Sequence, residues 1–348
     1  MKDAGVIIGW LGNPCSCRCR HCSIMNRGRT TAVPLERAEA IAERFLQWKA
    51  ASGREDFYVS LGVGYSYDFP LYLEYLRFSR EHDLPVYGFL PNGIALRNDA
   101  QLAQMFQTLK AAGISSVTTS FFGIGESHDR FTGRRGDFDF MMRVARAASA
   151  CGLDRAEAIY LRKATLRDVP QLLSMLDEIP GRTVRQMEPS AYRGRAKRQE
   201  HDRPLAAEVR RLPESVQRQI NWERYKSEAE WVAQVLAGDI PPRVTRYAII
   251  PVSEDTVDML ESADCQALVG GIFEAHDGFL QALPTLEDLA RRYGKPHGRR
   301  LYALRDLEWK WTDRFLAEHP EVDGTWAFDE SRTTVMVHRS THDAVAAA

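Results

Sequence analysis

The 348-residue chain has no run approaching the roughly 18 consecutive apolar residues that a membrane-spanning helix needs. Its apolar opening, MKDAGVIIGWLG, is too short for a signal-peptide core and lacks a clean cleavage site, so a cytoplasmic protein is expected. An excess of charge of either sign is also missing. With 46 basic and 47 acidic residues the net charge is −1, which argues against binding nucleic acid by bulk electrostatics and leaves room for a local basic patch. There is no low-complexity tract. At 44% hydrophobic and 27% charged, the composition is that of a folded domain rather than a disordered one. Cysteine is scarce, and after residue 200 only Cys265 remains, too few thiols to hold a cluster there.

The few cysteines are crowded. Four of the six, Cys15, Cys17, Cys19 and Cys22, fall within eight residues, while Cys151 and Cys265 are isolated. In a reducing compartment such crowding favours a metal site over disulfides.

Strand-like runs at 5–11, 57–61, 85–90, 115–120, 156–161 and 183–188 alternate with helical stripes at 34–51, 69–82, 98–112, 137–151 and 167–178. Alternation of this kind predicts βαβ units around a parallel sheet covered on both faces. Six units are too few to close an eight-stranded barrel, so the expected fold class is α/β, a partial (β/α)6 TIM-like barrel. From about residue 191 the pattern changes. Helices are expected over 214–237, 254–280, 285–293 and 305–318, with a strand-like start at 246 and a hairpin at 325–338. The expected organisation is a barrel over 1–200 and a mostly helical extension over 201–348 that binds substrate or closes the mouth. Trp309, Trp311 and Phe315 would pin that extension to the barrel or form part of a lid.

The cysteine stretch holds two nested spacings. C-x-C-x-C-x-x-C uses four thiols and would close a zinc site or a four-thiolate iron–sulfur cluster. C-x-x-x-C-x-x-C uses Cys15, Cys19 and Cys22, leaves one metal position open, and gives Cys17 the role of a small buried side chain. The loop follows the first strand, at the sheet edge where βα folds place their chemistry.

Cys15, Cys19 and Cys22, with Arg20 and His21 before the last of them, resemble the motif of the radical S-adenosylmethionine (radical SAM) superfamily. The core is similar to that of its peptide-modifying SPASM-type members, without their auxiliary-cluster cysteines. Ser23 stands where the family often has an aromatic residue. The resemblance implies a [4Fe–4S] cluster on the three thiolates and S-adenosylmethionine (SAM) on the open iron. It further implies a 5′-deoxyadenosyl radical that abstracts a substrate hydrogen, and an external one-electron donor such as flavodoxin or ferredoxin. No membrane or nucleic-acid partner is expected.

Further matches lie at the ends of later strands. Gly64 is retained from the family's glycine-rich turn, although Val63, Tyr65 and Ser66 depart from it. Asn92 in Pro91-Asn92-Gly93 would contact SAM or hold the turn, and Ser120 would contact its ribose or carboxylate. Arg143 would meet its carboxylate, in competition with Arg134 and Arg135. His128-Asp129 and Thr132-Gly133 resemble a loop of the peptide-modifying relatives, as does Gly194-Arg195. Between 182 and 211 nine Lys or Arg stand against four Asp or Glu, a patch suited to an anionic substrate or an acidic leader peptide. Cys265 would be a hydrogen-atom donor across the substrate, or simply packed. The reading is therefore a radical SAM enzyme, an oxidoreductase acting on a ribosomally made peptide. The alternatives are an epimerase or dehydrogenase of a small specialised metabolite, and a non-catalytic iron–sulfur or zinc protein using all four clustered cysteines.

Overall fold

The computed structural model describes residues 3–10, 15–22, 31–63, 67–86, 88–242, 245–327 and 333–338. Strand β1 (Asp3–Trp10) leads to helix α1 (Leu35–Ala51), whose Leu35, Ala38, Ile41, Ala42 and Phe45 are buried at helical spacing. Next come β2 (Tyr58–Val63), α2 (Tyr72–Glu81) and α3 (Asp99–Ala111). Asn98 and Gln101 form a capping box that fixes where α3 begins. The series continues with β3 (Ser116–Phe121), α4 (Glu126–Thr132), α5 (Asp137–Ala150), β4 (Asp154–Tyr160), α6 (Val169–Asp177) and β5 (Thr183–Glu188). A 3-10 segment, Gly194–Asp202, follows β5.

Among the described residues of 85–90, the third expected strand shows one bridge, Phe89 to Val117 of β3. Pro85 and Pro91 bracket it and can donate no backbone hydrogen bond to a ladder. Around that bridge, β3, β4 and β5 pair in parallel and in sequence order.

Residues beyond 200 add α7 (Ala206–Val209), α8 (Glu214–Gln217), β6 (Tyr225–Ser227), α9 (Glu228–Leu236) and β7 (Thr245–Val252). They end with α10 (Val257–Ser262), α11 (Cys265–Ala282), α12 (Leu286–Tyr293), β8 (Leu301–Ala303), α13 (Leu304–Glu318) and β9 (Thr334–His338). The helix expected over 214–237 is broken, because Ser227 turns the chain out of β6 and caps α9. Asp264, capping α11, likewise splits 254–280. The expected hairpin at 325–338 falls partly on residues 328–332, outside the described ones; its described strand is β9, whose partner is β7.

The strand expected near 246 had no partner assigned to it. It is β7, and it pairs in parallel with β1 along all eight residues, from Asp3–Thr245 to Trp10–Val252, while β2 holds the other edge. The sheets do not close on themselves; the molecule is an open, partial TIM-like barrel with a mostly helical C-terminal extension. That extension has its own core, in which Trp231, Tyr302, Leu307, Trp311 and Phe315 pack together. Trp311 and Phe315 thus serve this second core. Among the described residues no helix is long and apolar enough to cross a membrane.

Candidate functional site

The cysteine loop, residues 15–22, lies beyond the C-terminal end of β1. It is tied at three places to segments that follow other strands. The Ser16 amide donates to the Gly93 carbonyl at 2.9 Å, and the Ser16 hydroxyl donates to the Ile94 carbonyl at 2.9 Å. The Arg18 amide donates to Thr132 O at 2.7 Å and the Arg20 amide to Phe131 O at 3.0 Å, so the loop runs along the end of α4. At the far end the Arg195 amide donates to Cys22 O at 3.2 Å. The glycine-containing turns singled out in the sequence at 92–93, 132–133 and 194–195 are therefore the three anchors.

Two glycines make the close approach possible. At Gly93, φ is +99° and a Cβ would stand 2.5 Å from Cys15 Sγ. At Gly133, φ is +66° and a Cβ would stand 2.8 Å from Arg18 Cβ. Both positions need glycine for its backbone and for the space.

The four thiols divide three to one. None is in a disulfide; Cys15, Cys19 and Cys22 are partly exposed, whereas Cys17 is buried. The hydrogen bond with Cys17 and burial push the Cys15 thiol up. For Cys17, Cys15 pulls the thiol down, but Cys19 and burial outweigh it and the net direction is up.

His21 is packed against Phe122, Phe131 and Tyr160, with ring centroids at 4.6, 5.3 and 5.3 Å. Burial, helped by the charges of Arg193 and Arg162, pulls its pKa down to about 3, so it is a neutral ring at pH 7. It fixes the loop as an aromatic wedge.

Asn92 spends both ends of its amide on Ser120. Its Oδ1 accepts from the Ser120 amide at 3.0 Å and its Nδ2 donates to the Ser120 carbonyl at 3.3 Å. This joins the turn after Phe89 to the end of β3 and brings two expected SAM contacts together. Arg143 bonds instead to the Arg97 carbonyl and to Asp99, each at 2.9 Å, and neither belongs to the loop. The arginine that does reach the loop is Arg134, whose Nη1 donates to Ser16 Oγ at 2.5 Å. Gly64 lies outside the described residues. Cys265 is buried as the first residue of α11, within the main apolar core, where burial pushes its thiol up.

Sequence reasoning missed Asp137. It sits fully buried at the start of α5, 3.7 Å from Cys17 Sγ and 3.4 Å from His128 Nε2. Burial pushes its carboxyl up, but His128 and Arg134 outweigh that and hold it at about 2. An acid in the first turn of a helix is what many helices carry, so the sequence held no signal for it. The basic patch is also changed by the structure. Lys197, Arg203 and Arg210 are paired with Asp313, Asp306 and Glu230 at 2.6, 2.7 and 2.5 Å.

The donor set suits an iron–sulfur group. Three soft thiols are presented on one short loop, and a glycine cradle lets Cys15 Sγ settle where any side chain would displace it. Among the described residues, no three His, Cys, Asp or Glu side chains converge closely enough for one metal ion. A single ion would have to draw the thiols together, whereas a cluster takes each at a separate iron.

Comparison with known proteins agrees with this donor chemistry. The profile of the radical SAM superfamily matches residues 11–176. Fe-coproporphyrin III synthase of Methanosarcina barkeri is 32% identical over 75 residues, which is 22% of this chain and 19% of that protein. Among solved structures, anSMEcpe with bound AdoMet and a peptide is similar at 16% identity and a TM-score of 0.42, covering 68% of this chain and 62% of that one. The coproporphyrinogen III oxidase HemN of Escherichia coli, described as a radical SAM enzyme, is similar at 14% identity and a TM-score of 0.45. That likeness covers 97% of this chain and 86% of the other. The chain thus spans about a fifth of the curated relative that it matches.

Proposed function

Because the radical SAM superfamily profile matches residues 11–176, we propose that the chain is a member that holds one [4Fe–4S] cluster on Cys15, Cys19 and Cys22 and uses SAM to abstract a hydrogen atom from a peptide. The observation that carries this is the division of the thiols, three accessible on a clamped loop and Cys17 buried. When bound, the cluster would supply the electron that cleaves SAM to a 5′-deoxyadenosyl radical. The protein's own part is to hold and shield. The three anchors fix the thiols, and His21 with its aromatic neighbours closes one flank of the loop against water. Gly64, Asn92, Ser120 and Arg143 are the proposed contacts to SAM, and Cys265 is the proposed hydrogen donor. Residues 201–348 are the proposed substrate side, and flavodoxin or ferredoxin the proposed electron source. A small-molecule substrate is the second reading, favoured by the stretch shared with Fe-coproporphyrin III synthase.

The test is anaerobic reconstitution with iron and sulfide, followed by reduction in the presence of SAM. Formation of 5′-deoxyadenosine by the wild type and Cys17→Ala, and its loss in Cys19→Ala, is the expected result. Loss of the metal in Cys17→Ala would instead favour a closed four-thiolate site.

A further inference from the structure

Cys17 stands two residues from Cys15 and two from Cys19, and its thiol interacts with both of theirs. As a ligand for iron it is chemically equal to its neighbours. Something must keep it out, because a fourth thiolate would close the cluster.

The surroundings of Cys17 supply that restraint. Its Sγ donates to Asp137 Oδ2 at 3.7 Å, with Cys17 5% and Asp137 0% exposed. The carboxylate is held from other sides. Oδ1 accepts from Arg134 Nε at 3.1 Å and from Nη2 at 2.5 Å, while His128 Nε2 lies 3.4 Å from Oδ2. His128 Nδ1 accepts from the Phe122 amide at 3.2 Å, which leaves the ring proton on Nε2, facing Asp137. Arg134 reaches past the carboxylate to Ser16 Oγ and the Ile94 carbonyl. The group that faces Cys17 is thus bound to the loop on one side and to α4 on the other.

We propose that Asp137, braced by His128 and Arg134, is a positioning residue that withholds Cys17 from iron, so that the loop offers three ligands and one corner of the cluster stays open. This rests on the reading that Cys15, Cys19 and Cys22 hold the cluster. Without the carboxylate, Cys17 can turn outward and bind iron in place of Cys19 or beside it, its proton leaving as the iron–sulfur bond forms.

The test uses the full chain reconstituted anaerobically with ferrous iron and sulfide. Cys19→Ala is expected to lower bound iron by about tenfold, and Asp137→Ala in that background to restore most of it as Cys17 takes the place. In the otherwise wild-type chain, Asp137→Ala is expected to weaken the change that SAM produces in the electron paramagnetic resonance spectrum of the reduced cluster. Adding Cys17→Ala should bring that response back. Iron that stays lost in Asp137→Ala/Cys19→Ala overturns the proposal, as does a SAM response that Cys17→Ala fails to rescue, since Asp137 would then be merely structural. Should Asp137→Ala fail to fold, Asp137→Asn keeps the shape and carries both arms; if neither variant holds iron even with Cys17→Ala, the proposal also falls. A wild-type cluster indifferent to SAM would count against the proposed function, while the iron measurement would still decide the role of Asp137.

Discussion

Gly93→Ala tests the link between backbone geometry and metal binding. At φ +99° an L-residue sits in a sparsely populated region, a strain of about 1–3 kcal/mol. The new Cβ would also stand 2.5 Å from Cys15 Sγ, where comfortable contacts are about 3.5–4 Å, so the sulfur must retreat by about an ångström. It cannot retreat alone, because the Ser16 amide is bonded to the Gly93 carbonyl and would move with it. Gly53→Ala separates the two effects. Its φ is +64° and nothing lies within 4 Å of the added Cβ, so it carries backbone strain without touching a cysteine. Urea unfolding of the two variants should show each weakened by about 1–3 kcal/mol. Iron and sulfide analysis after reconstitution should then part them. Gly53→Ala should hold the wild-type amount, and Gly93→Ala should bind iron about tenfold more weakly, the scale on which a displaced metal environment is felt. Equal iron in both variants would refute the reasoning.

Lys310→Met should be costly. The ammonium is 1% exposed and bridges Glu200 at 2.7 Å and Glu228 at 3.2 Å, so its removal strands buried negative charge and should cost about 3–5 kcal/mol, read as a lowered thermal midpoint. Burial pushes the Glu200 carboxyl up, but the hydrogen bonds from Lys310 and Tyr302 outweigh it and hold it at about 2, against an ordinary 4.5. A carboxyl depressed in the folded state adds stability that is complete above pH 4.5 and lost as pH falls toward 2. The wild type should therefore weaken over that window in denaturant titrations, and Glu200→Gln should flatten the decline; a parallel decline would count against the pair. A fragment of residues 1–200 should fail to give a native circular dichroism spectrum, because it leaves the whole β7-facing edge of β1 unpaired.

What the sequence made legible was local. The α1 stripe, the helix over 98–112 and the thiol spacing each sit within one short window, and all three reappear in the fold. The loop anchors were visible as glycine-bearing turns, though not as partners of one another. What stayed hidden was pairing across distance. The strand at 245–252 has the right composition, but periodicity does not name the strand it will join. Asp137 was hidden for the same reason: its meaning comes from Cys17, 120 positions away. Phe89 shows the opposite failure: among the described residues, a strand-like composition flanked by prolines makes one bridge.

The pairing of β1 with β7 also sets a clock. The cysteine loop leaves a strand whose second partner lies more than two hundred residues downstream. At synthesis rates of about 5–20 residues per second, β1 emerges roughly 10–50 seconds before β7. Throughout that interval the thiols are already outside the ribosome while the edge beside them is open to the wrong strand. Contacts of such long range are made late in folding. On the proposed function, iron delivery would follow the docking of β7, and a cell producing this protein would have to guard four closely spaced thiols from oxidation until then.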